Sequence, residues 1–432
     1  MRHPRPATSS VRRLVCLAVM LVLVMGAPQA LAASPWRQGG FDARNAGENI
    51  REESISVDNV SDLQITWTRS LRDADSVTTA VAGRRVYAVG TGCARHCRTR
   101  LWILDARTGD TRWRGRLPYT PFSRPGPPAI VDGRIVVAAG GLNGEVAVFN
   151  AHCEGDVCPP LWTSAWYAGT DGEVPPPTPV VSRGWIYVSG GENGGLRVYP
   201  LAGCGASVCD PSWIGEVDNP LTPAVDHGEV IVAGFNPELE HRIWIEAFPA
   251  GGCGAPTCSS VWRHDTEPLG SPFGGWSDVS IREGTIFVQR SQTLEALDLE
   301  TCREAACATW SGSTHVNHTG GLAVGGDTAF VANNRLSAFP VAGCGAPTCP
   351  LSWVGPDAEA DHVSIANGLV YAVDFDSVSV FDEAGCGTSV CAPLAGPIEV
   401  PDGFPLLRSR PIIGQGMLLL GGDGVVALRV AP

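Results

Sequence analysis

Residues 342–353 read AGCGAPTCPLSW, and residues 250–262 read AGGCGAPTCSSVW. Working outward from each copy, an alternating stretch of strand character comes just before the cysteines, as in RLSAFPV at 335–341, LRVYPL at 196–201 and VSVFDEA at 378–384. Ahead of that stands a more apolar one: RRVYAVG at 84, GRIVVAA at 133, GWIYVSG at 184, GEVIVAG at 228, GTIFVQR at 284, DTAFVAN at 327, GLVYAVD at 368 and GMLLLGG at 416. Each of these eight follows a short strand that runs toward Gly, such as TPVVSRG or HVSIANG. The strand that closes most units is marked by tryptophan: Trp113, Trp162, Trp213, Trp262, Trp310 and Trp353. Four strands per unit at a period near 50 residues is the signature of a propeller blade. The cysteine motif is then a clipped turn between the third and fourth strands of a blade.

The two ends of the chain complete the count. The eighth unit stops after its third strand, VVALRV, which leaves an open sheet edge. LQITWTRSL, residues 63–71, is a strand without a unit, and it carries Trp67 where a fourth strand carries its tryptophan. Pairing the two removes both exposed edges. The reading is all-β: an eight-bladed β-propeller over 63–432, closed by the N-terminal strand joining the last blade. Blade 7 has CAPLAGPIEV in place of its tryptophan and is expected to pack most loosely.

Composition sets the compartment. Residues 1–32 combine a basic start, an apolar run and a small-residue site at Ala30 and Ala32, the layout of a signal peptide cut before Ala33, with 33–62 leading into the ring. The expectation is a secreted, extracytoplasmic monomer without a transmembrane segment in its mature part. The formal net charge is −13 and every one of the 31 basic residues is Arg. That acidity disfavours a nucleic-acid partner. Of the 15 cysteines, Cys16 falls in the signal and the others form seven near pairs: Cys93–Cys97, Cys153–Cys158, Cys204–Cys209, Cys253–Cys258, Cys302–Cys307, Cys344–Cys349 and Cys386–Cys391. An even count in an exported chain points to disulfides, and local pairing is the simplest solution. The first pair falls between the second and third strands of its blade and the other six between the third and fourth.

WRQGGFDARNAGENIREESISVDNVSDLQITW, residues 36–67, resembles the start of the pyrroloquinoline-quinone-type (PQQ-like) β-propellers, and RVYAVG with LWILDARTGDTRW, residues 85–113, resembles their repeat. The cysteine-clipped blades look like those of secreted actinobacterial members. The resemblance implies eight blades and a choice of roles, from quinoprotein dehydrogenases to a lipoprotein of outer-membrane barrel assembly. It also implies, for the dehydrogenases, a quinone held between a tryptophan and a disulfide of adjacent cysteines with calcium nearby. This chain has no two consecutive cysteines, and only Ala106 to Trp113 keeps the repeat's A-x-T-G-x-x-x-W.

The loops leading into the innermost strands converge at the mouth of the channel and bring Asp75, Trp276, Asp278, His315, His318, Asp361, His362, Arg408 and Arg410 to one rim. Trp276 offers a stacking face, two histidines such as His318 and His362 with carboxylates such as Asp278 could hold a metal, and the pair Arg408 and Arg410 an anion. There is no G-x-S-x-G, no H-E-x-x-H, and a chain without lysine has no phosphate-binding G-x-x-x-x-G-K loop. The residues therefore assign no catalytic, cofactor-binding or metal-ligating side chain. They favour a non-enzymatic binding or scaffold module for a protein or cell-wall partner over a diverged quinone- or metal-dependent oxidoreductase. No cofactor is expected; PQQ with calcium is the alternative. Because each clip closes a loop of only six residues, worth about 2 kcal/mol by loop-closure entropy, reduction under native conditions should leave the far-ultraviolet circular dichroism of the sheets in place.

Overall fold

The computed structural model describes residues 34–431 apart from 72–73, 93–97, 118–123, 141–142, 166, 169–176, 190–194, 237–241, 267–276, 305–306, 315–319, 358–359, 402–405 and 407–409. Within them eight sheets follow one another along the chain. Each runs from a short inner strand to a fourth, outer strand, as in blade 4 with Ala224–Asp226, Glu229–Asn236, Arg242–Pro249 and Trp262–Asp265. The second strands are almost wholly buried because each is packed on both faces, which is why they read as apolar runs. The eighth sheet is closed as the sequence requires: Leu63–Ser70 lies antiparallel to Gly424–Val430, with Leu63 opposite Val430 and Ser70 opposite Gly424.

The axis of the ring is built by the segment that precedes this strand. Residues 36–49 visit the innermost strands in blade order. Val81, Ile130, Val225, Ile281, Val324 and Ile365 donate their amides to the carbonyls of Trp36, Arg37, Ala43, Arg44, Ala46 and Gly47 at 2.7–2.9 Å. In blade 3 the Gln38 side chain bonds both the amide and the carbonyl of Val181, and in blade 8 Asn49 Nδ2 donates to Ile413 O at 2.7 Å. One segment thus satisfies a backbone group in every blade that would otherwise be orphaned at the axis. Further along, Ser34 Oγ donates to the buried Glu52, and Arg282 of blade 5 pairs with Glu48. The segment closes the end of the channel at which the first and second strands turn.

The clips lie on that same side, and they do more than pin turns. Cys153–Cys158, Cys204–Cys209, Cys253–Cys258, Cys302–Cys307, Cys344–Cys349 and Cys386–Cys391 are each bridged locally, with Cα separations from 4.0 to 6.3 Å; Cys93 and Cys97 lie outside the described residues. Beside five of the six second cysteines, all but Cys307, the loop reaches the outer strand of the preceding blade. Val157–Cys158 pairs in parallel with the outer strand of blade 1, Val208–Cys209 with that of blade 2 and Thr257–Cys258 with that of blade 3. Single bridges link Ser311 to Thr348 and Val354 to Val390 in the same sense. The glycine before the first cysteine, with φ +83° at Gly203, lies over the preceding blade's tryptophan. A Cβ there would come within 2.6 Å of Trp162 Cδ1, and the same closeness recurs for Gly252 on Trp213, Gly343 on Trp310 and Gly385 on Trp353. Cysteine, glycine and tryptophan are therefore one contact between neighbouring blades.

Blade 7 lacks its tryptophan for a matching reason. The next blade is made from the two ends of the chain, so it has no clipped loop to cover an indole. Its outer strand, Ala395–Glu399, is the one described outer strand with no buried residue.

Gly47 is one position where the axis has no room for a side chain. Its φ is +74°, and a Cβ would lie 2.4 Å from Arg410 Nη1 and 3.0 Å from Ala323 Cβ. Gly47→Ala should lower the free energy of unfolding in urea by about 2 kcal/mol or more. Gly228→Ala, with φ +84° and nothing within 4 Å, should cost only about 1 kcal/mol.

Candidate functional site: the central channel

The axial segment lies at the end where the first and second strands turn, and most of the loops leading into the innermost strands fall outside the described residues. Two charged side chains that stand just before inner strands, Asp278 and Arg410, are coupled electrostatically. Asp278 stands two residues before the inner strand of blade 5, Ser280–Arg282, and Arg410 two residues before that of blade 8, Ile412–Gly414. Because the inner strands converge on the axis, residues three blades apart in sequence face one another across the channel.

Arg410 reaches across to blade 6, where its Nη2 donates to Leu322 O at 2.9 Å. Its Nη1 is packed beside Gly47 and finds no hydrogen-bond partner among the described residues. Asp278 Oδ1 accepts the backbone N–H of Thr222, in blade 4, at 3.1 Å. Both residues are partly exposed. Burial dominates their electrostatics. It pushes the Asp278 carboxyl above the usual carboxylate range, against the hydrogen bonds from Thr222 and the positive charge of Arg410. It depresses the Arg410 guanidinium, against the negative charge of Asp278. The two feel each other's field without standing within ion-pair distance. Such an arrangement stabilises the fold little and holds two opposite charges ready for a polar group entering between them.

Of the residues singled out by sequence, Trp276, His315, His318 and Arg408 lie outside the described residues. Asp75 opens the inner strand of blade 1. His362 opens that of blade 7 and is partly exposed, and the Asp361 carbonyl before it accepts Gly321 N–H from blade 6 at 2.6 Å. The structure brings Asp278 and Arg410 into one electrostatic unit. The groups that orient them, the Thr222 amide and the Leu322 carbonyl, belong to the backbone and leave no signal in residue type.

A quinone with calcium does not fit this donor set. All six described cysteine pairs lie in the loops on the closed side, away from the open mouth. The described residues contain no group of three or more His, Cys, Asp or Glu placed to hold a metal ion.

Asp278→Asn combined with Arg410→Met should unfold at a urea concentration no lower than the parent protein. Arg410→Met alone, which leaves the buried carboxylate without its opposing charge, should be less stable than the double variant.

Comparison with known proteins agrees with the fold. The family model of outer membrane protein assembly factor BamB, a PQQ-repeat model, matches residues 51–242. Among solved structures, quinohemoprotein alcohol dehydrogenase from Comamonas testosteroni superposes with a TM-score of 0.63 at 13% identity, over 92% of this chain and 81% of that one. Sqt1 of Saccharomyces cerevisiae does so with a TM-score of 0.56 at 12% identity, over 86% of this chain and 98% of that one. No protein of curated function matches the sequence. At these identities the structural likeness speaks for the fold alone. With the eight sheets and the closure by the N-terminal strand, the chain is an eight-bladed β-propeller, and its residues 51–242 are similar to a PQQ-repeat family.

Proposed function

We propose that this protein is a secreted, non-enzymatic binding module that receives a polar ligand or a group of a partner at the open mouth of its central channel. The observation that carries the reading is a guanidinium and a carboxylate, Arg410 and Asp278, held before inner strands by backbone bonds and not paired with each other, beside a segment bonded to every blade. Charges fixed in this way are suited to binding with little ordering cost. The signal-like N-terminus and the disulfide clips support export, and the family match is to an assembly factor by name. Within the described residues the chemistry of an oxidoreductase has no donor set to build on.

Incubating the purified protein with the quinone and calcium, and then measuring bound chromophore and dye reduction, separates the two roles. The expected result is neither. Stoichiometric chromophore with dye reduction that Arg410→Met abolishes would overturn the binding reading.

A further inference from the structure

We infer that the outer edge of blade 7, Ala395–Glu399, is a docking site for an extended, basic segment of a partner protein, which adds to the sheet as a further strand. The site lies on the wall of the ring, away from the channel, so this inference and the channel reading can each fail alone.

The first observation is that the position is filled in five of the other blades, the outer strands of blades 4 and 8 gaining no such pairing among the described residues. The outer strands of blades 1, 2 and 3 each gain a parallel fifth segment from the clip of the next blade, and those of blades 5 and 6 gain a bridge. Blade 7 is succeeded by a blade without a clip, and among the described residues nothing pairs with its outer side. The turn Val60–Asp62 comes alongside without pairing. An unpaired strand edge offers main-chain donors and acceptors to any extended chain that matches it.

The second observation is exposure. The other described outer strands each hold at least one buried residue, and Trp162–Ser164 and Trp353–Val354 are buried throughout, whereas Gly396, Pro397 and Glu399 are open to solvent. Leu394 and Phe375 beside them are 40% and 47% exposed.

Charge selects the occupant. Between Arg335 and Arg408 the sequence holds nine acidic residues and no lysine or arginine. Asp376 and Glu399 sit at one end of the strand, where Val400 N–H donates to Asp376 O at 2.8 Å, and neither pairs with a basic residue among those described. Like charge disfavours a second copy of this chain. A strand with basic residues on alternate positions satisfies both the edge and the field.

The probe is a fluorescein-labelled octapeptide of alternating Arg and Val, titrated into the full chain by anisotropy. A second peptide of the same sequence carries N-methyl groups on alternate residues, which keeps the charge and removes the main-chain donors. Saturable binding, weakened about tenfold or more by N-methylation, is expected, together with amide hydrogen-exchange protection at Leu394–Glu399. Charge reversal at two exposed positions, Asp376→Arg with Glu399→Arg, should weaken binding about tenfold or more by like-charge repulsion, with an unchanged unfolding midpoint. Four results would overturn the inference: no binding, equal binding of the N-methylated peptide, protection confined to another part of the ring, or self-association of the chain through this strand.

Discussion

One hydrogen bond per blade at the axis is the constraint from which the rest of the architecture derives. Eight sheets converge on the axis, and their inner strands have no further strand of a blade as neighbour to satisfy their axial edges. The segment at 36–49 supplies that neighbour, a carbonyl or a side-chain amide at each step. Each blade offers the same kind of residue to it, Val or Ile, at the same point before the turn into its second strand. The β-branched side chain is buried in the blade while its backbone faces the axis. The closed end of the channel is a by-product of this solution.

The outside of the ring is held by a different contact. A blade's tryptophan lies under the next blade's glycine, and the neighbouring disulfide holds the loop that carries the glycine. The cost of removing a buried indole, about 3–5 kcal/mol, exceeds what a six-residue disulfide loop contributes, so the clip serves mainly to keep the loop over the indole. Where the clipped loop is missing, after blade 7, the indole is missing too, and an edge of sheet is left open. In blade 5 the same task falls to a short helix, Leu299–Cys302, which packs with Cys307 against Trp262 of blade 4.

Much of this was legible in the residues. The number of blades, the strand pattern, the closure through Trp67 and the position of the clips all come from a repeat that is strictly local, with alternation of period two and punctuation by glycine and cysteine. The axial role of WRQGGFDARNAGEN was not, because its partners are backbone groups scattered over more than three hundred residues. The absent tryptophan of blade 7 was plain, but its cause lay in the neighbouring eighth blade, which has no loop to set over an indole. At the axis, the sequence placed Asp278 and Arg410 on one rim, but nothing in a loop without periodicity says what either side chain bonds. That Thr222 and Leu322 would orient the pair depends on the ring's curvature, which residue type does not encode.

The way the ring is fastened also governs its synthesis. Thr66 bonds a residue 361 positions away, and Asn49 one 364 away. The ribosome delivers these two first and their partners almost last. Until then the opening strand has no sheet and the axial segment lacks its final blade, so the nascent chain carries apolar edges through nearly its whole elongation. The first part of the molecule to be made is among the last to find its place.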